Sequence, residues 1–131
     1  MSQKKYVVHF EDTGKSRPRS HEEEAAKLVA NFFKSNIIFL RRRSSKTPDL
    51  YILKTNVRWE LKSPLGGGKH TVQNNLRGVD SQSENVILDL TRSKLSDAQG
   101  ISRTKEFLKT ERTRIKKLKI ILKSGDIIDV K

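Results

Sequence analysis

The hydrophobic period of this chain changes several times along its length, and those changes constrain the fold more than any other feature. From Ser20 to about residue 35, Ala25, Ala26, Val29, Phe32 and Phe33 recur with helical spacing, and Ser20 and Glu23 have the spacing of a capping box. Asn36 to Leu40 is then a short apolar run, and Leu50–Leu53 and Val57–Leu61 are two more, read as a hairpin turning on Thr55 and Asn56. Helical spacing returns at Val72, Leu76, Val79 and Ser83 behind a cap at Thr71, and Val86–Leu90 reads as a strand. A further helix opens at Ser96, with Gln99 at capping-box spacing and Ile101, Leu108 and Ile115 as its apolar positions. Leu118–Leu122 and Ile127–Val130, around Ser124 and Gly125, close the chain as a hairpin. The order from residue 20 is therefore an αβββαβ core followed by a C-terminal helix and β-hairpin, an α/β fold with a mixed central sheet flanked by helices.

The length of 131 residues suits one hydrophobic core. Residues 20–131 are expected to form a single domain. Residues 1–19 are expected to be a loosely held arm, with a short apolar patch at Val7, Val8 and Phe10 before Gly14 and Pro18. No apolar run approaches the roughly 20 residues that span a bilayer, and Met1 to Lys5 lead into no signal-type stretch. A soluble chain acting in the cytoplasm, without a membrane partner, is the expectation. There is no cysteine, which excludes disulfides, thiolate metal sites and cysteine nucleophiles.

Lys and Arg number 28 against 15 Asp and Glu, a net charge of +13, and such a field draws polyanions from a distance. The excess is carried by the ends: residues 1–46 carry +6, residues 47–91 are neutral, and residues 92–131 carry +7. A neutral centre between basic flanks suits a nuclease, in which carboxylates serve a metal while Lys and Arg grip phosphates.

That neutral centre contains Pro48-Asp49-Leu50 and Trp59-Glu60-Leu61-Lys62-Ser63-Pro64. On a strand, Glu60 and Lys62 point to one face. A two-residue loop at Thr55 and Asn56 would pair Lys54 with Val57 and set Asp49 opposite Lys62 and diagonal to Glu60, with Cβ atoms roughly 5 to 8 Å apart. Two carboxylates could then converge on a divalent ion beside an ammonium, the set that phosphodiester hydrolysis needs. The competing reading is an ordinary solvated strand face, since charges often guard sheet edges. Asp129-Val130-Lys131 repeats the acid-x-Lys spacing but lacks a second carboxylate on its partner strand. In the first helix Glu22 lies nearest the centre of the apolar face, Glu23 at its margin, and Glu24 points away, so Glu22 is the acid that would join Asp49 and Glu60. Three acids at a helix start also favour the macrodipole without any other role.

Glu22 on an opening helix, Pro48-Asp49 on one strand and Glu60-Leu61-Lys62 on the next resemble the PD-(D/E)XK nuclease superfamily, whose αβββαβ core has the order read above. A longer string is similar to the C-terminal tRNA-nuclease domains of contact-dependent growth inhibition toxins: His21-Glu22, Thr47-Pro48-Asp49, Trp59 to Pro64, Gln73-Asn74-Asn75-Leu76, and Gln82-Ser83 leading into Ile87-Leu88-Asp89-Leu90. The resemblance spans roughly residues 20 to 122. It implies a metal-dependent endonuclease in which Asp49, Glu60 and Glu22 bind a divalent ion, Mg²⁺ before Mn²⁺ or Zn²⁺. Lys62 would serve the attacking water, and Gln73 would join the site. It also implies an immunity protein as partner if the chain is a toxin.

Candidate nucleic-acid contacts are Arg41, Arg42, Arg43, Lys46, Lys69, His70, Asn75 and Arg77, with the run from Arg112 to Lys119 as a further phosphate grip. Gly66-Gly67-Gly68-Lys69 fails as a Walker motif because His70 follows the lysine, and it reads as a flexible loop near the substrate backbone. His9, His21 and His70 lack ligand spacing. Aromatics are 6% of residues with no basic-aromatic stripe, so reading by shape or backbone, which suits folded RNA, is preferred to base stacking. tRNA is the favoured substrate. A DNA endonuclease of a mobile element or phage, and a non-catalytic basic nucleic-acid-binding module, are the alternatives.

Overall fold

The computed structural model describes residues 5–10, 18–40, 48–79 and 83–131. Its elements are β1 (Val8–Phe10), α1 (Ser20–Phe33), β2 (Ile37–Leu40), β3 (Asp49–Ile52), β4 (Val57–Lys62), α2 (Thr71–Arg77), β5 (Asn85–Asp89), α3 (Asp97–Thr110), β6 (Lys117–Ile121) and β7 (Ile127–Asp129). The strands are ordered β1-β2-β3-β4-β5-β6-β7 in a mixed sheet of seven. By compactness the chain divides within β4 into two units, one ending at Trp59 and one beginning at Glu60.

In the first unit, Ala25, Ala26, Val29 and Ala30 form the buried stripe of α1. The helix starts one residue earlier than the capping-box spacing suggests. Arg19 is extended at φ −72° and ψ 157°, which makes it the N-cap and puts Glu22, not Glu23, at the third helical position. The Arg19 N–H donates to Glu22 Oε1 at 2.9 Å, and Glu23 instead pairs with Lys27 at 3.6 Å. Lys34 ends the helix in the left-handed region (φ 51°), and the Ser35 N–H returns to the Ala30 carbonyl at 3.1 Å. β2 runs parallel to β1, with Val8 beside Ile37, so the apolar patch near the N-terminus is a strand. It runs antiparallel to β3, with Leu40 opposite Asp49 and Ile37 opposite Ile52.

The turn after β3 differs from the two-residue loop expected. It occupies Leu53–Asn56, and Lys54 lies in it with its N–H bound to Ser35 Oγ at 2.9 Å. Lys54 is therefore a turn residue and not the last residue of β3, which ends at Ile52. Asn56 supplies the positive φ (57°) that the turn needs, and its Oδ1 accepts from the Tyr51 hydroxyl at 2.9 Å.

In the second unit β4 pairs in parallel with β5, setting Glu60, Leu61 and Lys62 beside Val86, Ile87 and Leu88. β5 is parallel to β6, and β6 is antiparallel to β7. Val72, Leu76, Val86, Leu88, Leu90, Leu95, Phe107, Ile115, Leu118 and Ile120 form its core. α2 starts at Thr71 with His70, not Thr71, as N-cap, and stops at Arg77, because Gly78 closes it with an N–H to the Asn74 carbonyl at 3.1 Å. Val79 and Ser83 lie beyond it. α3 has the capping box read from the sequence: Gln99 N–H to Ser96 Oγ and Ser96 N–H to Gln99 Oε1, each 3.1 Å. It ends at Thr110, so Ile115 is buried from an extended segment and not from the helix.

Gly100 is required inside α3 by packing. A Cβ there would lie 2.3 Å from Leu90 Cδ1. The glycine-rich loop is also held, contrary to the flexible loop expected. A Cβ on Gly67 would lie 2.6 Å from the Cβ of Lys94. Ser93 Oγ donates to the Gly66 carbonyl at 2.7 Å, and Arg103 donates to the carbonyl of Lys69.

Candidate active site

β4 carries two of the candidate residues, Glu60 and Lys62. From Trp59 to Lys62 every residue is buried, which means that both faces of this stretch are covered, although its alternate positions include Glu60 and Lys62. Their relative exposures are 3% and 8%. Glu60 Oε2 and Lys62 Nζ stand 3.5 Å apart. Lys62 Nζ also donates to the Gly78 carbonyl at 3.1 Å, and Ser83 Oγ donates to Glu60 Oε1 at 3.0 Å. Thus α2's terminating glycine orients the ammonium, and the segment entering β5 orients the carboxylate.

A buried ion pair is weak support for stability, since desolvation of both charges offsets their attraction and apolar residues of similar size often do as well. A carboxylate and an ammonium fixed side by side can present a hard oxygen ligand together with a cation for a phosphate oxygen or a water.

In the first unit, Asp49 and Glu22 are each 5% exposed. Asp49 Oδ2 lies 3.9 Å from Nη1 of Arg58, whose side chain is half exposed. Glu22 is the cap partner of Arg19 described above, so one of its oxygens already has a structural task. Among the described residues, no three or more His, Asp or Glu side chains gather into a metal-holding cluster. Hard carboxylate oxygens are nonetheless the donor type that Mg²⁺ takes, and it is commonly held by only one or two of them, with water and phosphate completing its shell.

α2 and its neighbours place the remaining candidates. The Gln73 side-chain oxygen is buried and makes no hydrogen bond to the protein. Asn75 turns its amide back to the Thr71 carbonyl at 2.8 Å, so it serves the helix. Arg77 is engaged by Glu111, with Nε 3.0 and 3.1 Å from the two carboxylate oxygens. That hydrogen-bonded contact, reinforced by charge, raises the Arg77 pKa, and the same hydrogen bonding lowers that of Glu111. Lys69 and His70 are exposed. Arg41, Arg42, Arg43 and Lys46 lie outside the described residues.

Several partners were not singled out from the sequence. Arg58 has the same parity on β4 as Glu60 and Lys62, so strand alternation alone could have marked it. Ser83, the Gly78 carbonyl and Glu111 are remote in sequence from the groups they hold, and no local pattern signals them.

The fold and the site together define a basic, mixed α/β domain with a buried carboxylate–ammonium pair on β4. The sequence pattern of the contact-dependent growth inhibition CdiA C-terminal domain matches residues 46–127, more than half of the chain, and the chain belongs to that family. Comparison with curated proteins yields no match. Among solved structures, the chain is similar to one from the CdiA-CT/CdiI toxin and immunity complex of Burkholderia pseudomallei, with a TM-score of 0.60 and 15% identity over 94% of this chain and 98% of that one. At that identity the likeness is one of fold. Among the described residues, no helix is long and apolar enough to cross a membrane.

Proposed function

We propose that this domain is a toxin-type ribonuclease that hydrolyses phosphodiester bonds of tRNA with the help of a divalent metal ion, on a core of the PD-(D/E)XK nuclease kind. The observation that carries the reading is the buried Glu60–Lys62 pair, fixed by Ser83 and by the Gly78 carbonyl. Family membership and the element order α1-β2-β3-β4-α2-β5 support it.

In this reading Asp49 and Glu60, assisted by Glu22, hold the ion, with Mg²⁺ best suited to all-oxygen ligands. When bound, such an ion polarises the phosphate and lowers the pKa of water. Lys62 keeps its ammonium beside the carboxylate and orients the attacking water or steadies the negative charge that grows on phosphate. Gln73 offers its buried oxygen to a hydroxyl or amino group of the nucleotide. The net charge of +13 holds the polyanion. The similar Burkholderia chain belongs to a toxin and immunity complex, and by extension this domain acts in the cytoplasm and is neutralised there by an immunity protein.

The test is incubation of the purified protein with total tRNA and with plasmid DNA, in Mg²⁺ or in EDTA. Cut tRNA with intact plasmid in Mg²⁺ alone is the expected result. Cut plasmid with intact tRNA would replace the substrate. Binding without cleavage of either would leave a nucleic-acid-binding module.

A further inference from the structure

Within the second unit, a cleft of about 260 Å³ opens between the end of α2 and the extended segment that follows α3. Arg77, Arg112 and Arg114 line it, together with Ser83, Phe107 and Glu111. Arg112 and Arg114 are exposed and, among the described residues, hold no ion pair. Ser83 is the residue whose hydroxyl binds Glu60, so the wall of the cleft reaches the candidate catalytic carboxylate through one hydrogen bond. A second cleft, of about 500 Å³, lies between α2 and α3 and is lined by Lys69, His70 and Arg103, with the carboxylate of Glu106 among them. Arg77, Phe107 and Glu111 line both clefts. The Arg77–Glu111 pair therefore stands where the two grooves meet, each with more cationic than acidic side chains in its lining.

The geometry of that pair is informative. Arg77 offers Glu111 the edge formed by Nε and Nη2, and both nitrogens are engaged. That fork matches a phosphate as well as it matches a carboxylate. The Arg77 side chain is 56% exposed and that of Glu111 29%, and an exposed pair of this kind contributes little to stability and exchanges readily.

We propose that the two clefts form one groove for a nucleic-acid backbone, gripped by Arg112 and Arg114. Glu111 occupies the phosphate position on Arg77 until a phosphate displaces it. Glu111 is thus a resident competitor, which lowers the affinity of the groove for stray anions and sets a threshold for binding beside Glu60. The substrate named here rests on the nuclease reading, whereas the exchange at Arg77 can be measured without cleavage.

The experiment is fluorescence anisotropy with labelled tRNA in EDTA over a series of KCl concentrations. It uses the full chain, with thermal unfolding confirming that each variant is folded. Arg112→Gln/Arg114→Gln is expected to weaken binding and to reduce the slope of log K against log salt by about 1.4 to 1.8. The charge-matched Lys105→Gln/Lys109→Gln pair, whose side chains do not line either cleft, is expected to change the slope far less. Glu111→Gln is expected to tighten binding about 5-fold, on the scale of one exposed ion pair. In the Arg77→Gln background the same substitution should give only the small gain due to one lost negative charge.

Equal tightening by Glu111→Gln with and without Arg77, or equal slopes for the two double variants, would overturn the groove. If tRNA is cut but these variants bind alike, the groove fails and the nuclease reading stands. If the binding pattern appears but nothing is ever cut, the groove stands and the nuclease reading fails.

Discussion

Glu60 and Lys62 stand on one side of β4 with carboxylate and ammonium 3.5 Å apart and both side chains almost wholly buried. Removing one partner strands the other charge in the interior, whereas removing both removes the desolvation cost as well. Lys62→Met alone is therefore expected to destabilise the fold by about 3–5 kcal/mol, and Glu60→Gln/Lys62→Met to be neutral or stabilising by up to about 4 kcal/mol. Urea denaturation of the two variants checks the difference, and equal losses in both would show that the pair is held for stability.

Ser83 donates to Glu60 Oε1 at 3.0 Å. Ser83→Ala is expected to cost about 1.5–3 kcal/mol, the range for a hydrogen bond to a charged group. As a positioning residue it should lower kcat more than it raises KM. A change in KM alone would place the hydroxyl on the substrate and not on Glu60.

Much of the fold was legible in the sequence because it rests on period and capping. The Ser96–Gln99 box, the stripe of α1, the strand at Val86–Leu90 and the final hairpin all follow from local chemistry. Boundaries were less legible where a tertiary partner decides them. Ser35 Oγ takes the N–H of Lys54 and lengthens the turn, and Arg19, which no propensity marks as a cap, starts α1 because Glu22 accepts its N–H. Alternation put Glu60 and Lys62 on one face, but the groups that fix them lie 16 and 23 residues away in the chain.

Gly100 sits in a helix, where alanine would ordinarily gain about 1 kcal/mol. Here the added methyl would lie 2.3 Å from Leu90 Cδ1, and overpacking wins. Gly100→Ala is expected to lower stability by about 1–3 kcal/mol, and a second change, Leu90→Val, should restore part of it. Thermal unfolding of the single and double variants decides the matter, and a stabilised Gly100→Ala would contradict the packing.

Hydrogen bonding to Arg77 lowers the Glu111 pKa, so the folded state favours its ionised form. The contribution of Glu111 to stability is then complete above the ordinary carboxylate range and is lost as the pH falls through its lowered folded value. The stability difference between wild type and Glu111→Gln should be constant at neutral pH and shrink only in acid. A difference that grew as the pH fell would contradict the pairing.

Cleavage and stability measured on one variant decide whether the Glu60–Lys62 pair acts in the reaction. Single-turnover cleavage of tRNA in Mg²⁺ by wild type and by Glu60→Gln/Lys62→Met, each with its urea midpoint, separates what the pair does from what it holds together. Wild type is expected to cleave and the variant to lose at least about 100-fold, the scale of one general acid–base or electrostatic group, with its midpoint unchanged or raised. Undiminished cleavage by the folded variant would contradict a catalytic role for the pair.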